Sequence, residues 1–261
     1  MTADGLDGAP TLTRRGPVAR VRLARAAHRN ALRPTDLQVL LDHFSAVDAD
    51  AGVRVVVLEA DLAEAGRPVF CAGFDIAGFD DPAHDPRLFE RVVESLEALR
   101  PITVCAVSGS VHGGAMDMML ACDLRVAVQG AVFRMPAVGL GLHYYPSGLA
   151  RFVSRLGTDL AKRAFLGGRA LSVEELQAAG AFDAVVSPEA FGEAVESLVL
   201  RVTALAPLAA QLTKRSLNEL GIGVHDAVRL SDREARTLAS GDFAEGRRAF
   251  AQDRRPEYTG N

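Results

Sequence analysis

Two stretches carry residue types suited to chemistry on a polarised carbonyl. The first is Phe70-Cys71-Ala72-Gly73-Phe74-Asp75-Ile76. Gly73 admits a positive φ and lets a ligand approach the backbone closely. Asp75 is suited to cap a following turn, leaving a backbone N–H near Phe74 to face an anion. A plain structural turn accounts for the same residues. The second stretch runs from Ala106 to Asp117, through Ser108-Gly109-Ser110-Val111-His112-Gly113-Gly114. Here a strand enters a turn of small residues and continues into an apolar helix through Leu120 and Cys122. The first N–H groups of a helix have no partner inside it and carry partial positive charge. They suit a developing oxyanion. Asp117 falls in the first turn of that helix among Met116, Met118 and Met119. It reads either as compensation of the helix dipole or as a carboxylate in an apolar pocket with a raised pKa.

The elements that must position these stretches are readable from periodicity. Val18 to Leu23 alternates as a strand with one wet face. Pro34 to Asp48 repeats leucine and phenylalanine at helical spacing, with Thr35 as the expected N-cap and Pro34 just outside it. Val53 to Leu58 is a β-branched run and reads as a buried strand. Residues 60 to 83 read as loop. Leu88 to Leu99 reads as a helix stopped by Pro101, and Ile102 to Val107 as a short strand. Strands alternating with helices up to about residue 135 indicate an α/β core. Beyond Pro146 the periodicity is helical over 148–156, 158–166, 172–180, 188–205, 207–219, 224–239 and 242–252. Only Ala184 to Val186 suggests a further strand there.

Composition narrows the function classes. The 261 residues are 49% apolar and 24% charged, with a net charge of −4. Those are globular values, and a mildly acidic chain lacks the basic footprint of a nucleic-acid binder. Cys71, Cys105 and Cys122 are odd in number and form no Cys-x-x-Cys pair, so buried thiols are expected rather than a disulfide framework or a metal site. Met1 to Pro10 shows no signal-peptide pattern, and no apolar run approaches the roughly 20 residues of a membrane helix. A cytoplasmic protein without membrane attachment is the expectation.

The chemistry-bearing stretches resemble the enoyl-CoA hydratase/isomerase (crotonase) superfamily. Further motifs agree in order: Arg29-Asn30-Ala31-Leu32, Cys122-Asp123-Leu124-Arg125, and Phe133-Arg134-Met135-Pro136 with Gly141. The helix from Ser172 to Gly180 follows, leading into Phe182-Asp183-Ala184-Val185-Val186. The tail has Glu245-Gly246, Ala249-Phe250 and Arg254-Arg255-Pro256. The resemblance implies an α/β fold with a ββα spiral core over residues 1–195 and a helical region over 196–261 used in a homotrimer or dimer of trimers. It implies a coenzyme A thioester as substrate, with no metal or nucleotide cofactor. By position, the oxyanion hole falls on the N–H groups of Phe74 and Gly114, with Gly113 beside them. Ala72, Asp75 and Ile76 line the coenzyme path.

The sequence also departs from that family. Of the two glutamate positions that flank the double bond in the hydratases, one carries Asp117 and the other Ala137. Asp117 keeps a carboxylate one methylene shorter; Ala137 has no proton to exchange. His143, Tyr144 and Tyr145 stand in the segment that borders the acyl pocket in the family, and are candidates for the second polar group. A packed aromatic loop accounts for them equally. The family's tail lysine is replaced by Asp253, so charge for the coenzyme phosphates must come from arginines such as Arg25, Arg29 or Arg254. Three functions follow: a hydratase or isomerase using Asp117, a decarboxylase of malonyl-type thioesters through the same enolate, or a non-catalytic acyl-CoA binder.

Overall fold

The β-branched run forms strand β3 (Val55–Ala60), which alternates between two separate apolar interiors. In the computed structural model, which describes residues 8–76 and 85–261, Val56 and Leu58 face the larger core. Val55 and Val57 face a smaller one. A stretch covered on both faces must be apolar at every position, which is why Val55 to Leu58 carries no polar residue before the strand emerges at Glu59. Residues 1–7, His84 and the part of the expected 60–83 loop beyond residue 76 lie outside the described residues.

The other long strands divide in the same way. A six-stranded sheet holds, in order, β1 (Thr11–Arg15), β2 (Val18–Leu23), β3, β5 (Ile102–Val107), β7 (Leu124–Val128) and β10 (Ala184–Val186). All its neighbours are parallel except the β1–β2 hairpin. A second sheet holds β4 (Val69–Cys71), β6 (Ser110–His112), β8 (Val132–Arg134) and β9 (Leu171–Ser172).

Chain order alternates between the two sheets. β3 and β4 precede helix α2 (Leu88–Ala98), β5 and β6 precede α3 (Gly114–Ala121), and β7 and β8 precede α4 (Pro146–Leu166). Each turn of this ββα spiral thus adds one strand to each sheet. The step between sheets is tight at Gly109, where a Cβ would stand 2.6 Å from the carbonyl of Pro68. Helix α1 (Pro34–Ala49) packs beside α2 through Leu37, Leu40, Phe44 and Val47.

The remaining helices are α5 (Val173–Ala178), α6 (Pro188–Thr203), α7 (Pro207–Gly221), α8 (Ala227–Leu238) and α9 (Gly241–Ala251). The expected division at 195/196 falls inside α6. That helix packs Val195, Leu198, Val199 and Val202 on the outer face of the large sheet, so it is part of the sheet packing. α7 is pinned back by Lys214, which is buried, pairs with Asp123 at 2.7 Å and donates to the Pro101 carbonyl. In the tail, Glu245 of α9 binds Arg254 and accepts the Glu257 N–H. Arg254 holds the Glu245 carboxyl at about 2, well below the usual range. This tail arginine is therefore engaged within its own chain.

Several local expectations differ from the structure. α1 begins at Pro34, and Arg33, not Thr35, is its N-cap. The Arg33 N–H and guanidinium both bind Asp36, which closes the first turn one residue before Pro34 and leaves Thr35 inside the helix. The short strands β4, β6, β8 and β9 span two or three residues, too few to show an alternation. The break expected between the helical segments 148–156 and 158–166, by contrast, is present: α4 is interrupted at Gly157, whose φ of 72° and ψ of 159° are not helical. All three cysteines are free and buried. Burial pushes the Cys71 thiol up to about 12.

Candidate active site

β4 and β6 are parallel neighbours, so the turns that follow them emerge side by side. Both turns need glycine. Gly73 has φ 88° and Gly113 has φ 57°. A Cβ on Gly73 would lie 2.6 Å from the His112 carbonyl and 3.2 Å from the Gly114 nitrogen. The segment carrying Phe74 therefore packs directly on the start of α3.

The direction of the Phe74 peptide is set from its other side. Leu32 N–H donates to Gly73 O at 2.8 Å, and Asp75 N–H donates to Leu32 O at 2.9 Å. In a trans peptide the C=O and the following N–H point oppositely. With Gly73 O turned to Leu32, the Phe74 N–H points away from Leu32. Gly114 is the first residue of α3, where an N–H has no partner within the helix. The ring of Phe89 in α2 lies against Gly114 so closely that any Cβ there would overlap it. The same ring meets Phe74 edge-on at 6.3 Å.

The expected coenzyme-path residues gather around these turns. Ala72 N–H donates to the carbonyl of Arg29, itself in a left-handed conformation at φ 54°. Ile76 is exposed, and so is Arg29, which among the described residues has no ion-pair partner. Arg25 instead stands 3.5 Å from Asp36. His112 is half-buried, and burial together with Arg134 and Arg29 lowers its pKa.

Asp117 lies one turn beyond Gly114 and is completely buried. Its neighbours come from the loop before α4 and from α4 itself. The Tyr145 hydroxyl donates to Oδ2, and the Tyr144 hydroxyl reaches the same oxygen at 3.3 Å. Arg151 donates to Oδ1 at 2.6 Å. Burial raises the Asp117 pKa; Arg151 and the two tyrosines oppose the rise. Burial and the adjacent carboxylate also push both tyrosines up, so they are neutral O–H donors. For Arg151, burial works against its charge, but Asp117 and Glu97 outweigh it and its pKa stands above the ordinary arginine value.

The structure thus brings Asp117, Tyr144 and Tyr145 together. His143 stands apart, exposed on the preceding loop. Ala137 is buried in the apolar core just after Pro136, which lies beside Gly113. Among the described residues no group of His, Cys, Asp or Glu side chains is gathered to hold a metal ion.

Sequence reasoning missed Arg151, Gly148 and Phe89. Arg151 had a readable signal: it falls on the buried face of α4 with Gly148, Phe152 and Leu156. A charge on an apolar face demands a buried partner. Phe89 had none, since a phenylalanine at an inward helical position is ordinary core.

Comparison with known proteins agrees with this geometry. The chain is 31% identical, over 94% of its length and 82% of the relative's, to "Probable enoyl-CoA hydratase 2, mitochondrial" of Arabidopsis thaliana. It is 26% identical, over 89% of its length and 90% of the relative's, to methylmalonyl-CoA decarboxylase of Escherichia coli K12. An enoyl-CoA hydratase/carnitine racemase structure from Magnetospirillum magneticum superposes with a TM-score of 0.86 at 26% identity, covering 97% of this chain and 96% of the other. The enoyl-CoA hydratase/isomerase family profile matches residues 13–261. A spiral of ββα turns, two glycine turns facing one another and a family match across nearly the whole chain make this protein a member of the enoyl-CoA hydratase/isomerase (crotonase) family.

Proposed function

We propose that the protein processes acyl-CoA thioesters through an enolate, in the manner of an enoyl-CoA hydratase or isomerase. The observation that carries this reading is the placement of a buried carboxylate, Asp117, one helical turn after the Gly114 N–H. The N–H groups of Phe74 and Gly114 hold the thioester oxygen as it gains charge. Asp117 and the Tyr145 hydroxyl face the carbons next to it and move the proton. The reading needs no cofactor beyond the coenzyme A of the substrate, and the exposed Arg29 is its candidate partner for the phosphates.

A second reading is decarboxylation of a malonyl-type thioester, which reaches the same enolate by losing carbon dioxide instead of a proton. Ala137 favours it, because one of the two hydratase positions is mute. So does the engagement of both Asp117 oxygens by Arg151 and the tyrosines. The relatives include proteins named for each reaction.

Incubation with crotonyl-CoA and with methylmalonyl-CoA, read by mass spectrometry, separates the readings. Gain of water supports the first, and loss of carbon dioxide the second. Tight binding of both thioesters with neither change indicates a non-catalytic binder.

The assembly proposed with this reading is a homotrimer or a dimer of trimers in the cytoplasm. Leu217, Val228, Leu238 and Phe250 on the last helices are large, apolar and exposed in the single chain, which supports burial against further copies. Light scattering at micromolar concentration tests it, and a monomer would count against it.

A further inference from the structure

The carboxylate of Asp117 is the inner end of a line of alternating charges. Arg151 of α4 donates to Asp117 Oδ1 at 2.6 Å with one nitrogen and to Glu97 Oε2 of α2 at 2.9 Å with another. Arg155, one turn further along α4, reaches the other oxygen of Glu97 at 3.5 Å and Asn218 of α7 at 2.6 Å. The line runs from the buried helix α3 outward to the helical region. Arg151 is buried, and Glu97 is about three-quarters covered. Both carboxylates therefore act on one guanidinium with little water between them to screen the effect.

We propose that Arg151 is a positioning residue that sets the charge of Asp117, and that Glu97 sets how strongly Arg151 does so. The groups facing Asp117 are few: Tyr144 and Tyr145 from the loop before α4, Arg151 from α4, and Glu97 of α2 behind it with Arg155. Glu90 of α2 is occupied by the Ser147 hydroxyl at the start of α4. The methionines beside Asp117 on α3 carry no charge. Burial disfavours the carboxylate anion, and Arg151 is the first of the groups that counter it. Glu97 shares the Arg151 guanidinium and adds its own negative charge nearby, so it weakens the support Arg151 gives. The Arg151 Nε is buried with no acceptor, so this side chain is held by the two carboxylates and not by general packing polarity.

This inference rests on the reading of Asp117 as the acid/base group, and its test does not use turnover. The Asp117 carboxyl is followed by carbon NMR in protein labelled at aspartate, its signal assigned by its loss in Asp117→Asn. Arg151→Met should move the titration upward by about one pH unit or more, since an opposite charge in contact has been removed. Arg151→Lys should return most of that shift. Glu97→Gln keeps the size and an acceptor oxygen but not the charge, and should move the titration downward by about half a unit. Shifts of opposite sign from two residues that touch each other are the signature of charge. A packing defect in either variant would admit water and move both downward. An unmoved titration in Arg151→Met, equal shifts in Arg151→Met and Arg151→Lys, or an upward shift in Glu97→Gln would overturn the proposal. If Arg151→Met does not fold, Glu97→Gln and Glu97→Asp decide together: a downward shift in Glu97→Gln that the charge-keeping Glu97→Asp does not share supports the proposal, and no shift, an upward one or equal shifts in the two variants defeats it. The expected titrations in a protein that turns over no thioester would defeat the proposed function and leave this inference standing.

Discussion

The backbone of Gly148 runs so close to Asp117 that a Cβ there would stand 2.8 Å from the carboxylate Oδ2 and overlap the Tyr144 ring. A glycine on the buried face of α4 is what allows the tyrosine pair and the carboxylate to share one small volume. Gly148→Ala is therefore expected to lower stability by about 1–3 kcal/mol through overpacking. It should also lower turnover, because the methyl group displaces the carboxylate. A melting temperature and rate equal to the parent's would contradict this account of the site.

The Gly114 N–H and the absence of a side chain there are separable. Any side chain at Gly114 meets Phe89, so Gly114→Ala alone tests packing, not the donor. In a Phe89→Leu background, Gly114→Ala should recover most activity, whereas Gly114→Pro should remain inactive because proline lacks the N–H. Equal recovery of both double variants, with the fold intact by circular dichroism, would remove Gly114 from the oxyanion hole.

The three aromatic-loop candidates should differ in rank. Tyr145 makes the closer bond to Asp117, Tyr144 the longer one, and His143 is exposed. Tyr145→Phe is expected to lower turnover by about 10²-fold as a lost proton donor. Tyr144→Phe should lower it less, and His143→Ala should stay within about twofold. Steady-state rates for the three variants are the check, and His143→Ala falling as far as Tyr145→Phe would reverse the ranking.

Asp117→Asn keeps the shape and removes the base, and should lower turnover by at least about 10²-fold. In the parent, Asp117 has a raised pKa and acts as a base only when ionised, so rate should fall as pH falls through that raised value. Ala137→Glu restores a carboxyl at a buried position. If it confers water addition to crotonyl-CoA that the parent lacks, the parent reaction is decarboxylation or binding.

The tail holds a carboxyl shifted the opposite way. Glu245 titrates at about 2, below its ordinary value of 4.5, because of Arg254 and the Glu257 N–H. A lowered carboxyl stabilises the folded tail fully above its unfolded value and loses that contribution as pH falls toward about 2. The amide shift of Glu257 in NMR should therefore titrate near pH 2. A midpoint near 4.5 would show that the tail is not tied to α9 in solution.

How much of this was legible in the sequence depends on the length over which a pattern repeats. β3 and the long helices announced themselves because five or more residues repeat one preference. The turns at Gly73 and Gly113 were legible because the small residues stand where strands end. The charge line through Arg151 and Glu97 was not, since its members lie 54 residues apart and meet only when α2 and α4 pack. Thr35 looked like the cap of α1 because local rules favour a hydroxyl. Arg33 and Asp36 close that turn instead, through a side-chain pairing no propensity describes.

Of the two lysines in the chain, Lys214 is sealed against Asp123 beneath α7, while Lys162 is exposed on the second half of α4. An amine-reactive reagent therefore meets a single lysine side chain on the described surface of the folded chain. A dye placed there reports from the segment beyond Gly157, on the same helix as Arg151 but across its break. Labelling of Lys214 requires its pairing with Asp123 and Pro101 to break, so its rate is a chemical clock for exposure of that buried side chain.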